Sequence, residues 1–232
     1  MDETKKLKVE EVEVVDEDEE LDGNEYEDEE VSEEDEKELS YGKKLIKKDV
    51  FFFSVQDICE VAIFVGLAVV FDVFVKIQIG ATGGSLNIAM LPLFVIALRH
   101  GWFKGFIAGG VIFGFITCLL DGYGFQTYPL EYFIGFGSVA VLGLLKPLIT
   151  DENYNVTWHS YAYSTVGMLA AYVIRFFAGT LDSMIIYGYD FIGSVIYNAQ
   201  YIFPSFIAVC ALFLGLLINI LKAFRAHNTK SL

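Results

Sequence analysis

Glu131 and Tyr132 stand side by side at the start of an apolar stretch, where a carboxylate can pair with a cationic or amino-bearing ligand. Tyr123, Tyr128 and Tyr132 lie close by in sequence and offer ring faces for stacking or cation-π contact. The same Glu131 would also serve as a plain interfacial carboxylate in water. Arg175 and Asp182 fall seven residues apart in another apolar stretch, two turns along one helical face. The simplest reading pairs Arg175 with Asp182, or with Asp72 of a different helix, as structure rather than recognition. Lys76 and Asp72 suit an i,i+4 pair. Asn198 and Gln200 are amides on an otherwise apolar helix, able either to read the polar edge of a ring or to join helices. Ala62 and Gly66, four apart with Ala68 nearby, make a small-residue stripe that another helix can approach closely, within the bundle or from a partner.

Signatures of enzymatic chemistry are missing from the sequence. His100, His159 and His227 sit in separate segments, and there is no HExxH, nucleophile elbow or P-loop, so any energy from ATP must enter through another subunit. A membrane enzyme is disfavoured by that separation, and a self-sufficient secondary transporter by the lack of a convincing internal repeat. Cys59, Cys118 and Cys210 follow no CxxC or metal spacing and read as apolar packing residues, with no disulfide, metal or cofactor expected.

The elements that hold these residues follow from hydropathy and charge. The chain is 54% hydrophobic with a mean hydropathy of +0.48, yet carries a net charge of −15. Residues 1–40 contain 21 carboxylates and four lysines, a charge of −17, so the remainder carries +2. Such a run cannot bury enough apolar surface to offset its ordering entropy and is expected to be a disordered tail. It has neither the basic start nor the apolar core of a signal peptide. Lys43, Lys44, Lys47 and Lys48 then form a basic juxtamembrane cluster. The expected organisation is therefore a tail and basic segment over 1–50 and a membrane domain over 51–232.

About 20 apolar residues cross a bilayer as a helix. Six spans are expected near 55–77, 86–99, 103–121, 130–149, 161–187 and 194–223, giving an all-α bundle. The second and third form a hairpin with Pro92 in the middle of the first arm, and Gly101, Gly105 and Gly109 along one face of the next. Lysine and arginine cluster before span one, at Arg99 and Lys104, at Lys146, and at Lys222, Arg225 and Lys230. The opposite loops, around Gly80 to Gly84, Asp121 to Tyr128 and Tyr187 to Gly193, carry none, which predicts cytoplasmic termini in a multi-pass cell-membrane protein.

Several separated blocks carry a resemblance: EVAIFVGLAVVFD from Glu60, GGSLNIAMLPLF from Gly83, the Glu131-Tyr132 pair, RFF at Arg175 and YNAQYIFPSFI from Tyr197. Together they resemble the thiamine-binding S-component family of energy-coupling factor (ECF) vitamin transporters over nearly all of residues 57–222. The resemblance implies a six-helix, ligand-capturing subunit that docks on a T subunit driven by two cytoplasmic ATPases, with Ala62 and Gly66 meeting the T subunit. It implies a thiamine pocket containing Glu131, Tyr132 and Asn198, with Ser183 and Tyr187 at two further pocket positions and Tyr123 beside them. It implies no nucleic-acid partner. The pattern departs from the family at Gly179, where a histidine is usual, and at Gly193, where a tyrosine is usual. Those losses are expected to enlarge the pocket or to admit a related aromatic vitamin or precursor in place of thiamine. Glu131, Tyr132, Tyr187 and Asn198 are expected to share one cavity in the outer half of the bundle, closed by the Gly80 to Gly84 loop.

Overall fold

A computed structural model describes residues 53–78, 84–151 and 154–230. The acidic tail, the lysines at 43–48 and most of the Gly80 to Gly84 loop lie outside the described residues. Helix α1 (Val55–Phe74) opens on a capping box: Ser54 Oγ accepts from Asp57 N at 3.1 Å and Asp57 Oδ2 accepts from Ser54 N at 2.9 Å. Val61, Val65, Ala68 and Asp72 form its one buried stripe. Ala62, Ile63, Gly66, Leu67 and Val70 face outward.

After α1 the chain makes a small departure from an all-helical fold. Strand β1 (Ile77–Gln78) pairs antiparallel with β2 (Ser85–Leu86), Ile77 opposite Leu86 and Gln78 opposite Ser85. Helix α2 (Met90–His100) begins four residues later than expected, which puts Pro92 in its first turn rather than its middle. A first-turn N–H has no intrahelical acceptor, so proline is tolerated there. Met90, Leu93, Phe94, Ile96, Ala97 and Leu98 are all buried, so α2 is wrapped by the other helices.

Gly101, at φ +89°, turns the chain into α3 (Trp102–Asp121). Its role is this turn, whereas Gly105 and Gly109 make the close contacts expected of the stripe: a Cβ at Gly105 would stand 2.7 Å from Ala97 Cβ, and one at Gly109 2.5 Å from Phe136 O. The middle of α3, Ile107–Phe113, is π-helical, with Gly114 N–H reaching Gly109 O five residues back. The facing element α4, residues 128–149, is segmented into π-helical Tyr128–Ile134 and the short α-helical pieces Gly135–Gly137, Ala140–Leu144 and Lys146–Ile149. Backbone meets backbone where these two widened stretches cross, and Phe113 packs edge-on to Phe136 at 4.7 Å. Helices embedded in lipid gain little from apolar burial against each other, so such close packing supplies the cohesion.

Helix α5 (Trp158–Ile185) opens on a second capping box, Thr157 with Ser160. It packs along α6 (Phe191–Lys230), which is longer than expected and contains Pro204. Among the described residues, Trp102–Asp121, Trp158–Ile185 and Phe191–Ala226 are long and apolar enough to cross a membrane. Helix α2 is short, and α1 carries Asp57, Glu60 and Asp72.

Asp57 and Glu60 explain the fate of the basic hinge. Asp57 pairs with Lys104 at 2.8 Å and His100 at 3.0 Å, while Glu60 meets His100 at 2.9 Å and also Arg99. This neutralised cluster lies at the start of α1, and Asp72, near the end of that helix, belongs to the opposite end of the bundle. The 15 residues between Asp57 and Asp72 rise about 22 Å at the helical repeat of 1.5 Å per residue.

Candidate functional site

At the Asp72 end, α1, α3, α4, α5 and α6 surround a cavity of about 120 Å³. Its charge is carried by carboxylates from four elements: Asp72 of α1, Asp121 of α3, Glu131 of α4 and Asp182 of α5. Two cations answer them. Lys76 Nζ meets Asp121 Oδ1 at 3.1 Å, and Arg175 Nη2 stands 3.7 Å from Glu131 Oε1 with its guanidinium 4.0 Å above the Phe136 ring.

Both pairings differ from those expected. Asp182 lies two turns along α5 from Arg175, too far for a direct ion pair, whereas α4 brings Glu131 across from the facing side. Lys76 follows the end of α1 at Phe74, so the helical i,i+4 geometry with Asp72 is gone and the side chain reaches Asp121 instead. Asp72 Oδ1 accepts from Asn87 Nδ2 at 2.9 Å, and Asn87 N in turn donates to Ser205 Oγ at 3.2 Å. Tyr132 donates its hydroxyl to Asp121 Oδ2 at 3.0 Å.

Three buried polar atoms on this wall have no hydrogen-bond partner among the described residues: Asp72 Oδ2, Arg175 Nη1 and Asp182 Oδ1. An unsatisfied buried donor or acceptor costs about 1–3 kcal/mol. Orphans of opposite sign around one cavity fit a ligand that brings both donors and acceptors.

Much of the remaining lining is aromatic. Tyr187 and Tyr189 from the turn after α5 stack at 6.3 Å, Tyr197 meets Tyr189 edge-on at 6.1 Å, and Tyr201 follows Tyr197 at 5.6 Å. All four line the cavity. Tyr187 (46% exposed) and Tyr123 (45%) stand at its mouth. Gly84, the described end of the expected closing loop, also lines the cavity, where its backbone lies on the Tyr201 ring.

The candidate residues therefore separate. Glu131, Tyr132, Tyr123, Ser183 and Tyr187 line the cavity together. Asn198 stands one layer behind, fully buried. Its Nδ2 donates to Ser183 Oγ at 3.0 Å and to Ser194 O at 2.9 Å, and its Oδ1 accepts from Tyr201 Oη at 2.5 Å. It joins α5 to α6 and sets the Tyr201 ring. Gln200 points outward. Tyr128 donates to Gly110 O at 3.2 Å and stacks on Phe125, away from the cavity.

Gly179 does not enlarge the cavity. A Cβ there would stand 2.7 Å from both Glu131 Oε2 and Asn198 Oδ1, so those two side chains already occupy the space. Gly193 lies in the first turn of α6 beside Asp190, whose Oδ2 accepts from Gly193 N at 3.3 Å, and contributes nothing to the lining. Sequence reasoning passed over Tyr189, Tyr197 and Tyr201, although the four-residue spacing of Tyr197 and Tyr201 around Asn198 puts them on one helical face. Among the described residues, no cluster of His, Cys, Asp or Glu is arranged to hold a metal ion.

The sequence from residue 58 to 225 matches the family model described as thiamine transporter protein. A curated relative, the thiamine transporter ThiT of Bacillus subtilis strain 168, is 28% identical over 174 residues, covering 68% of this chain and 88% of the relative. A solved structure of ThiT from Listeria monocytogenes has the same fold, with a TM-score of 0.62 at 23% identity, over 73% of this chain and 97% of that one. The matched span contains every cavity residue named above.

Proposed function

The chain belongs to the thiamine transporter protein family, and on that premise we propose that it captures thiamine in the cavity at the Asp72 end of the bundle. It is a multi-pass membrane protein of a transporter family, with no catalytic step to account for. The observation that carries the reading is the composition of the cavity wall: four carboxylates and Arg175, with Lys76 paired to Asp121, together with four tyrosine rings. Thiamine carries a flat cationic ring joined through a methylene to an amino-bearing second ring, and both features match such a wall. Glu131 takes the amino-bearing ring, Tyr132 and Tyr187 supply ring contacts, Ser183 supplies a hydroxyl, and Asn198 supports them through Tyr201. Tyr123 stands where the ligand enters.

The same family reading makes the protein an ECF S-component that docks on a T subunit energised by two ATPases, through the outward face of α1 at Ala62 and Gly66. It puts both termini in the cytoplasm, in keeping with the placement of lysine and arginine along the sequence. Titration calorimetry of the purified protein with thiamine tests the substrate directly. Binding is expected, and its absence removes thiamine as the substrate.

A further inference from the structure

Asp182 is 3% exposed and lines the cavity, and among the described residues its buried Oδ1 has no hydrogen-bond partner. The other three acids are engaged: Asp72 with Asn87, Asp121 with Lys76 and Tyr132, and Glu131 with Arg175. A buried carboxylate is retained where something pairs with it, because desolvating an isolated charge is unfavourable. Among the described residues no side chain answers Asp182 Oδ1. It shares one face of α5 with Arg175, Gly179 and Ser183, all buried, so helix geometry commits its side chain to the cavity side. Tyr187, Tyr189 and Tyr197 line the same cavity and present the aromatic surface that a cationic ring prefers.

We propose that Asp182 is the counter-charge for the ligand's cation and makes this site selective for a planar ring bearing a fixed positive charge. Glu131, already neutralised by Arg175, is left to the uncharged amino-bearing end of the ligand. The proposal rests on the thiamine reading above and divides that ligand between two carboxylates. A neutral ligand of the same shape offers Asp182 no opposite charge, so discrimination is expected to come from this residue.

The test compares thiamine with its neutral thiophene isostere, titrated calorimetrically against the full-length protein in detergent and against Asp182→Asn. Wild type is expected to bind thiamine at least 30-fold more tightly than the isostere. Asp182→Asn is expected to lose at least tenfold for thiamine while binding the isostere within threefold of wild type, which also reports that the variant is folded. Asp182→Ser, run in parallel, supplies a second uncharged side chain should the amide be poorly accommodated. A thiamine loss below tenfold overturns the proposal, and so does an equal loss for both ligands, which would make Asp182 purely structural. Failure of wild type to bind thiamine is a different result, because it removes the substrate reading and the Asp182 assignment together.

Discussion

Arg175 of α5 reaches across to Glu131 of α4, Nη2 to Oε1 at 3.7 Å, while its guanidinium plane covers Phe136. The contact ties two helices at the cavity wall and leaves Nη1 without a partner among the described residues. Loss of one member strands the other's charge in a largely buried setting, which typically costs 3–5 kcal/mol.

Glu131→Ala is accordingly expected to weaken thiamine binding at least ~30-fold, about 2 kcal/mol, and to lower the thermal midpoint of the ligand-free protein. Calorimetry and a melting curve read the two effects separately. An unchanged affinity would take Glu131 out of the site.

Asn198 acts at one remove. Its three hydrogen bonds to Ser183, Ser194 and Tyr201 are made wholly inside the α5 and α6 pair, so Asn198→Ala is expected to cost about 2–3 kcal/mol of stability at roughly 1 kcal/mol per bond. Thiamine affinity should fall about tenfold through the freed Tyr201 ring, or about 1.4 kcal/mol. A double-mutant cycle with Tyr201→Phe separates this indirect route from direct contact. If Asn198 works through Tyr201, the double variant binds no worse than the weaker single one, and strict additivity would rule that out.

At Gly179 the structure and the family resemblance make opposite forecasts. Resemblance alone would restore binding by Gly179→His, the residue usual at that position. The cavity wall predicts the reverse, because even a Cβ would crowd Glu131 Oε2 and Asn198 Oδ1 at 2.7 Å. We expect Gly179→His to lose at least tenfold in thiamine affinity, about 1.4 kcal/mol. A gain in affinity on titration would show that the neighbouring side chains yield and that the empty position is a true vacancy.

The comparison of sequence with structure turns on the same residues. Arg175 and Asp182 were legible as costly charges within an apolar span, and Glu131 with Tyr132 as a candidate pair, because helical periodicity and the rarity of intramembrane charge are local signals. Partner choice was not legible. It depends on which helices face one another, and no spacing within α5 reveals that Glu131 arrives from α4. The end of α1 at Phe74, two residues before Lys76, likewise decided the Lys76 partner from a boundary that sequence reading locates only loosely. The π-helical stretches of α3 and α4 left a trace only in Gly109, Gly110, Gly114 and Gly137, whose small size permits the backbone approach. Tyr189 was hidden for a related reason, since tyrosine near a helix end suits a membrane interface as well as a binding wall.

Ala62 and Ala68 sit on different faces of α1, and their difference makes the docking hypothesis testable without a ligand. Ala68 is fully buried against the bundle, whereas Ala62 faces outward and a Cβ at Gly66 would meet nothing within 4 Å. Internal packing therefore accounts for Ala68 and, among the described residues, leaves the Ala62 and Gly66 stripe without a packing partner. A flat, small-residue surface lets a second helix approach to backbone distance, and an indole at its centre would hold that helix away. Ala62→Trp is expected to retain thiamine affinity within threefold, about 0.7 kcal/mol, while abolishing co-purification with a T subunit and its ATPases and with it thiamine uptake. Ala68→Trp, forced into a packed interior, is expected to lose folding and both functions, at a cost of several kcal/mol. Should Ala62→Trp still co-purify at wild-type yield, the exposed stripe faces lipid and the T subunit docks elsewhere.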